Sequence, residues 1–143
     1  MTKFPNPVLF CLCLFLPVFF SAGCGNSGYR DGTYTGKSGP DDNGAFGEVT
    51  LTVREGKITD CSFVTRQKDG TVKDENYGKI NGEISNQSYY DKAQLAVRAM
   101  EKYARDLSRT GNLEDLEAVS GATIAYNQFR EAVEDALETA GKR

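Results

Sequence analysis

Four small residues, Ser120-Gly121-Ala122-Thr123, stand where an apolar stretch ends and a helical pattern begins. The first backbone N–H groups of a helix lack internal partners and lie at the positive end of its dipole, so a phosphate binds there readily. Gly121 and Ala122 would let a phosphate approach the backbone without steric conflict, and Thr123 sets a hydroxyl at the same spot. A plain tight turn with a threonine cap uses the same residues, and the turn alone leaves both readings open. Other chemistry is scarce. The chain has no histidine, which removes the usual general base, the usual proton switch and the commonest transition-metal ligand. A Ser-His hydrolase is excluded, and nothing points to zinc. The net charge of -3 gives no nucleic-acid footprint. What remains is chemistry from carboxylates, hydroxyls or a borrowed cofactor.

The cysteines divide by position. Lys3 gives a short positive start, and residues 8–20 are an apolar run interrupted by Pro17. The run is shorter than the ~20 residues that a spanning helix needs. Ser21-Ala22-Gly23 then leads directly into Cys24. This pattern resembles a bacterial lipoprotein signal over residues 1–23, with Cys24 acylated on its sulfur as the new N-terminus. An ordinary secretory signal cut nearby, or an uncleaved anchor, are the alternatives. On the lipoprotein reading Cys11 and Cys13 leave with the signal and Cys24 carries lipid. Cys61 is then the lone cysteine of the mature domain, with no internal disulfide, and its β-like surroundings suit a small buried apolar residue.

Residues 24–28 read as a tether and residues 29–140 as one domain. Residues 29–36 suggest a turn and a short strand, and residues 37–44, rich in Gly, Pro, Asp and Asn, a loop. The clearest signal follows. Val49, Leu51 and Val53 alternate with Thr50, Thr52 and Arg54, Glu55-Gly56 supplies a turn, and residues 57–65 return as a second strand. The alternation slips between Ile58 and Cys61, which predicts a bulge. Residues 67–87 are polar, with Tyr77 and Ile80 as the evident anchors; a loop of that length is often functional. Ala93, Ala96, Val97, Met100, Tyr103, Ala104 and Leu107 then recur at helical spacing, with Asn86 or Ser88 as cap and Gly111-Asn112 as stop. Residues 116–119 are expected to form a short strand. A second helical stripe runs through Ala125, Phe129, Ala132, Val133, Ala136, Leu137 and Ala140, with Glu131, Glu134, Asp135 and Glu138 as its solvated face. The whole predicts an α+β domain, a small antiparallel sheet with two main helices packed on it.

The stretch Glu117-Ala118-Val119-Ser120-Gly121-Ala122-Thr123 is similar to the flavinylation motif of the FMN-binding domain family. The resemblance extends over residues 29–140, through the hairpin and through the last helix. The polar segment after residue 72 resembles a branch of flavin-bearing lipoproteins used in extracellular electron transfer. By position, Thr123 matches the residue that carries FMN through a phosphoester, and Ser120, Gly121 and Ala122 match the motif's small residues. Glu117 stands where the family usually has Asp, and Ala125 where a second hydroxyl residue is common.

The resemblance implies a carrier rather than an enzyme with its own substrate. A separate flavin transferase would move FMN from FAD to Thr123, so the chain itself needs no catalytic base. The redox chemistry belongs to the flavin ring, and Tyr34, Phe46, Tyr77 and Tyr126 are candidates for contact with it. The implied protein is anchored by lipid on Cys24 at the extracytoplasmic face of the cell membrane. It would take electrons from a membrane oxidoreductase and pass them to an acceptor outside. The alternative is a lipid-anchored surface or ligand-binding module with the same fold and no covalent flavin. A weaker rival binds FMN without a bond, through Ser120 and Thr123.

Overall fold

The computed structural model describes residues 28–141. The signal segment and Cys24 lie outside them. Three strands, β1 (Gly32–Lys37), β2 (Phe46–Arg54) and β3 (Lys57–Arg66), form an antiparallel sheet in the order β1-β2-β3. Two helices, α1 (Gln87–Thr110) and α2 (Thr123–Ala140), complete a two-layer α+β domain. The expected fold class is the observed one.

The hairpin forms where the alternation predicts it. Glu55 and Gly56, with φ of 52° and 77°, make the kind of two-residue turn whose twist suits adjoining strands. Thr52 pairs with Asp60 but Val53 with Ile58, so Thr59 is the extra residue of the predicted bulge. Val49, Leu51, Val53, Ile58, Cys61 and Phe63 are all buried on one face of the sheet. Helix α1 packs on β3, and α2 on β1 and β2, so both helices cover that face. Tyr103 and Phe129, with no exposed surface, fill the space between sheet and helices, and Phe63 meets Phe129 edge-on at 4.9 Å. Helix α2 lies so close to β1 that a Cβ on Gly36 would sit 2.1 Å from the Ala132 carbonyl oxygen.

The helix ends follow their caps. The Asn86 side chain accepts a hydrogen bond from the Tyr89 N–H at 3.0 Å, and Gly111 closes α1 in the left-handed region. Two expectations are corrected. Residues 116–119 are not a strand. After a short 3-10 turn, Leu113–Asp115, the chain runs extended with Leu116 buried, and the Val119 N–H donates to the Tyr103 hydroxyl at 2.8 Å. A helix side chain has taken the donor that a neighbouring strand would have used. Ile80 is no anchor either, being 62% exposed.

The polar segment from residue 67 to residue 86 is tied down by polar and steric contacts instead. Gln94 of α1 donates to the carbonyls of Asp74 and Tyr77, at 3.1 and 2.9 Å, and the Tyr90 hydroxyl donates to that of Glu75. Gly78, at φ 96°, presses against Ala93, which a Cβ there would meet at 2.8 Å. This clamp holds Lys73 and Tyr77 beside the start of α2.

Candidate functional site

Thr123 is the first residue of α2, and its hydroxyl does not cap the helix. The cap position belongs to Ala122, which has no side chain able to accept a hydrogen bond. Helix α2 therefore starts with its leading N–H groups uncapped by any side chain, and with no acidic residue in its first turn. Thr123 and Ser120 are exposed, and neither hydroxyl has a hydrogen-bond partner among the described residues. Gly121, at φ 83°, makes the turn, and a Cβ there would meet the Leu95 side chain at 3.0 Å. The plain reading of the motif, a turn with a threonine cap, lacks its cap.

Thr123 opens onto a cleft of about 340 Å³. Gly121, Ala122 and Thr123 line one side, and Ala93, Ala96 and Met100 of α1 the other. Thr65 and Gln128 are buried at its floor, where Thr65 donates to the Met100 sulfur at 3.0 Å and Gln128 donates to the Ala45 carbonyl at 2.8 Å. Tyr77 and Tyr89 bring aromatic surface, and Tyr89 and Ile124 remain more than half exposed. The volume falls in the usual range for small-molecule sites, roughly 300–1,000 Å³.

Two cations face this cleft. Lys92 lies on α1 and has no ion-pair or hydrogen-bond partner among the described residues. Lys73 is different, since its side chain is only 13% exposed. Its ammonium lies 3.9 Å from an Asp41 oxygen and 5.0 Å from the centre of the Tyr77 ring. Burial holds the Lys73 pKa below the usual lysine value, against the pull of the Asp41 charge. Burial, and then the hydrogen bond with Tyr89, push the Tyr77 phenol up to about 12. Asp41 is itself fixed, because one of its oxygens accepts from the N–H groups of Asn43 and Ala45, each at 2.9 Å.

Of the expected motif residues, Gly121, Ala122 and Thr123 line the cleft, and Ser120 lies on the exposed approach to it. Of the four aromatic candidates, Tyr77 alone is there. Tyr126 packs on Tyr103 and donates to the Leu116 carbonyl, Tyr34 donates to the Arg30 carbonyl, and Phe46 lies under Lys37. Sequence reasoning missed Tyr89, Lys92 and Lys73. The first two follow Asn86 on one turn and the next of α1, a spacing from the cap that could have pointed to them. A lysine in a polar segment carries no comparable signal.

A helix start free of carboxylates, beside a cleft lined by apolar α1 side chains, two lysines and Asp41, suits a phosphorylated ligand with a flat apolar body. The family comparison agrees. Residues 44–138 match the family model described as FMN-binding domain, and the chain belongs to that family. It is a flavin-binding protein. The crystal structure of a Clostridium perfringens protein, a Northeast Structural Genomics Consortium target, aligns with a TM-score of 0.61. The two share 22% identity over 78% of this chain and 88% of that one, which speaks for the fold alone. A solution NMR structure of a Clostridium thermocellum protein aligns at 26% identity with a TM-score of 0.46, over 78% and 92% of the two chains. No curated protein matches the chain.

Proposed function

We propose that this protein is a lipid-anchored electron carrier whose FMN is joined through a phosphoester to Thr123. The observation that carries the reading is the Thr123 hydroxyl, exposed and unpartnered at the start of α2, on the edge of a cleft in an FMN-binding domain. A hydroxyl committed to capping its helix would be a poor acceptor, and this one is not committed. In the transfer step the Thr123 oxygen forms a bond to the FMN phosphorus of FAD, and the pyrophosphate bond breaks. AMP leaves, and the hydroxyl proton passes to the transferase. The chain supplies position, and the separate flavin transferase supplies charge stabilisation.

The residues present suit the group. The leading N–H groups of α2 and Lys92 would hold the phosphate, and Ala93, Ala96, Met100, Tyr77 and Tyr89 would pack on the ring. When bound, the flavin ring supplies reversible electron uptake at a potential that its surroundings set. The chain would exclude water from one side of the ring and leave the side at the exposed Tyr89 and Ile124 open to a partner. On this reading a membrane oxidoreductase is the electron donor. Lipid on Cys24 keeps the domain at the extracytoplasmic face of the cell membrane, and the acceptor lies outside. The covalent bond keeps the flavin from diffusing away there.

The test is intact-mass measurement and peptide mapping after co-expression with a flavin transferase. Wild-type protein should gain one FMN on the peptide spanning Ser120 to Thr123. Thr123→Ala should lose it and stay folded, since an exposed group with no partner is removed. Thr123→Ser should stay partly modified, and Ser120→Ala should keep flavin at reduced yield. Label lost in Ser120→Ala but kept in Thr123→Ala would make Ser120 the acceptor. Flavin that binds but is released by acid precipitation would leave non-covalent binding, and a colourless protein would leave the surface-module alternative.

A further inference from the structure

We propose that Lys73 is a positioning residue for the flavin ring and, against Asp41, sets the potential at which the bound flavin is reduced. The inference rests on the carrier reading above. Lys73 lines the same cleft as Thr123 and has three N–H donors, yet its ammonium has no hydrogen-bond acceptor among the described residues. Its partner Asp41 stands at 3.9 Å, beyond hydrogen-bond reach, so the pair is electrostatic and does not work as a latch. No polar side-chain atom is sealed without a partner among the described residues, so the ammonium does not end in dry core, and Lys73 lines both the cleft and an adjoining hollow beside Tyr77 and Tyr89. A cation with unused donors, 13% exposed and lining a cleft that also has apolar surface from Ala93, Ala96 and Met100, is poised for an acceptor that the protein does not provide.

The isoalloxazine offers such acceptors, and on taking two electrons from a reductant and one proton from solvent it gains one net negative charge. Lys73 favours that charge, and Asp41, which lines the same cleft, opposes it. Low exposure of both side chains, 13% and 12%, keeps solvent from screening either effect. The lowered Lys73 pKa fits a cation waiting for a compensating charge.

The experiment is a dithionite titration of loaded, full-length variants, in which dithionite is oxidised to sulfite and absorbance reports the flavin against a reference dye. Loading is verified first by mass. Lys73→Met should disfavour reduction about tenfold, a fall of about 30 mV for a two-electron couple. Asp41→Asn keeps the oxygen that accepts from Asn43 and Ala45 and removes the charge, so it should raise the potential. Lys73→Arg should stay within about threefold of wild type, because the charge is kept. Opposite shifts from Lys73→Met and Asp41→Asn support the proposal, whereas mere loosening of the cleft would move both the same way. Shifts of the same sign, or no shift in loaded protein, overturn the role of Lys73 and leave the carrier reading intact. If Lys73→Met fails to load, Asp41→Asn decides: a raised potential supports the proposal, and an unchanged or lowered one overturns it. Wild-type protein without flavin on Thr123 overturns both.

Discussion

Cys61 and Lys73 differ in how much of their setting the sequence discloses. Cys61 sits in a strand whose alternation already turns it inward, and it is buried in the core. Burial, helped by the neighbouring Asp60 charge, pushes its thiol up from 9.0 to about 12. The sequence reading of Cys61 as a small apolar residue matches that placement. A thiol with a folded pKa above its unfolded one stabilises the fold fully below about pH 9, and the contribution is lost as pH rises to about 12. Urea denaturation should therefore show stability falling over that window, and Cys61→Val should fall less. The folded wild type should also resist thiol reagents at neutral pH and react on unfolding. Rapid labelling of the folded protein would contradict the assigned burial. Lys73 was not legible, because its burial arises only when Gln94, Tyr90 and Gly78 clamp the polar segment to α1.

Among the elements, the hairpin and both helices were readable because each carries its own period and its own punctuation. Alternation at Val49, Leu51 and Val53, the Glu55-Gly56 turn, the Asn86 cap and the Gly111 stop are local signals with local causes. Residues 116–119 misled because four residues with three aliphatic side chains fit a strand or a packed extended segment equally well. The deciding fact is the Tyr103 hydroxyl, which comes from another element. The hairpin faces give a direct test. Leu51 has no exposed surface, so Leu51→Ala should destabilise the domain by about 2–5 kcal/mol. Thr52, partly exposed on the opposite face, should cost less than about 1 kcal/mol when changed to Ala. Thermal or chemical denaturation of the two variants measures the difference, and equal losses would reverse the assigned faces.

At the scale of the whole molecule, α2 separates the two ends that the proposed function uses. Thr123 begins the helix, and at its far end the Arg30 N–H and guanidinium donate to the carbonyls of Gly141 and Ala140. Tyr29 is pinned nearby, its N–H donating to the Gly56 carbonyl at 3.2 Å. The domain is thus entered beside the C-terminal end of α2, while the proposed flavin site lies at the N-terminal end. With 18 residues at ~1.5 Å each, the two are about 27 Å apart along the axis. No helix of the described residues is long and apolar enough to cross a membrane, so on the proposed reading attachment rests on the lipid at Cys24. A tether that enters at one end would turn the cleft, with Tyr89 and Ile124 at its mouth, away from the bilayer and toward a partner. Flavin fluorescence of lipidated, loaded protein on vesicles should then be quenched by iodide in solution and spared by a nitroxide carried on the lipid headgroups. Quenching by the headgroup nitroxide as strong as that by iodide would mean that the domain lies with its cleft against the membrane. The electron acceptor would then have to reach the flavin along the bilayer surface.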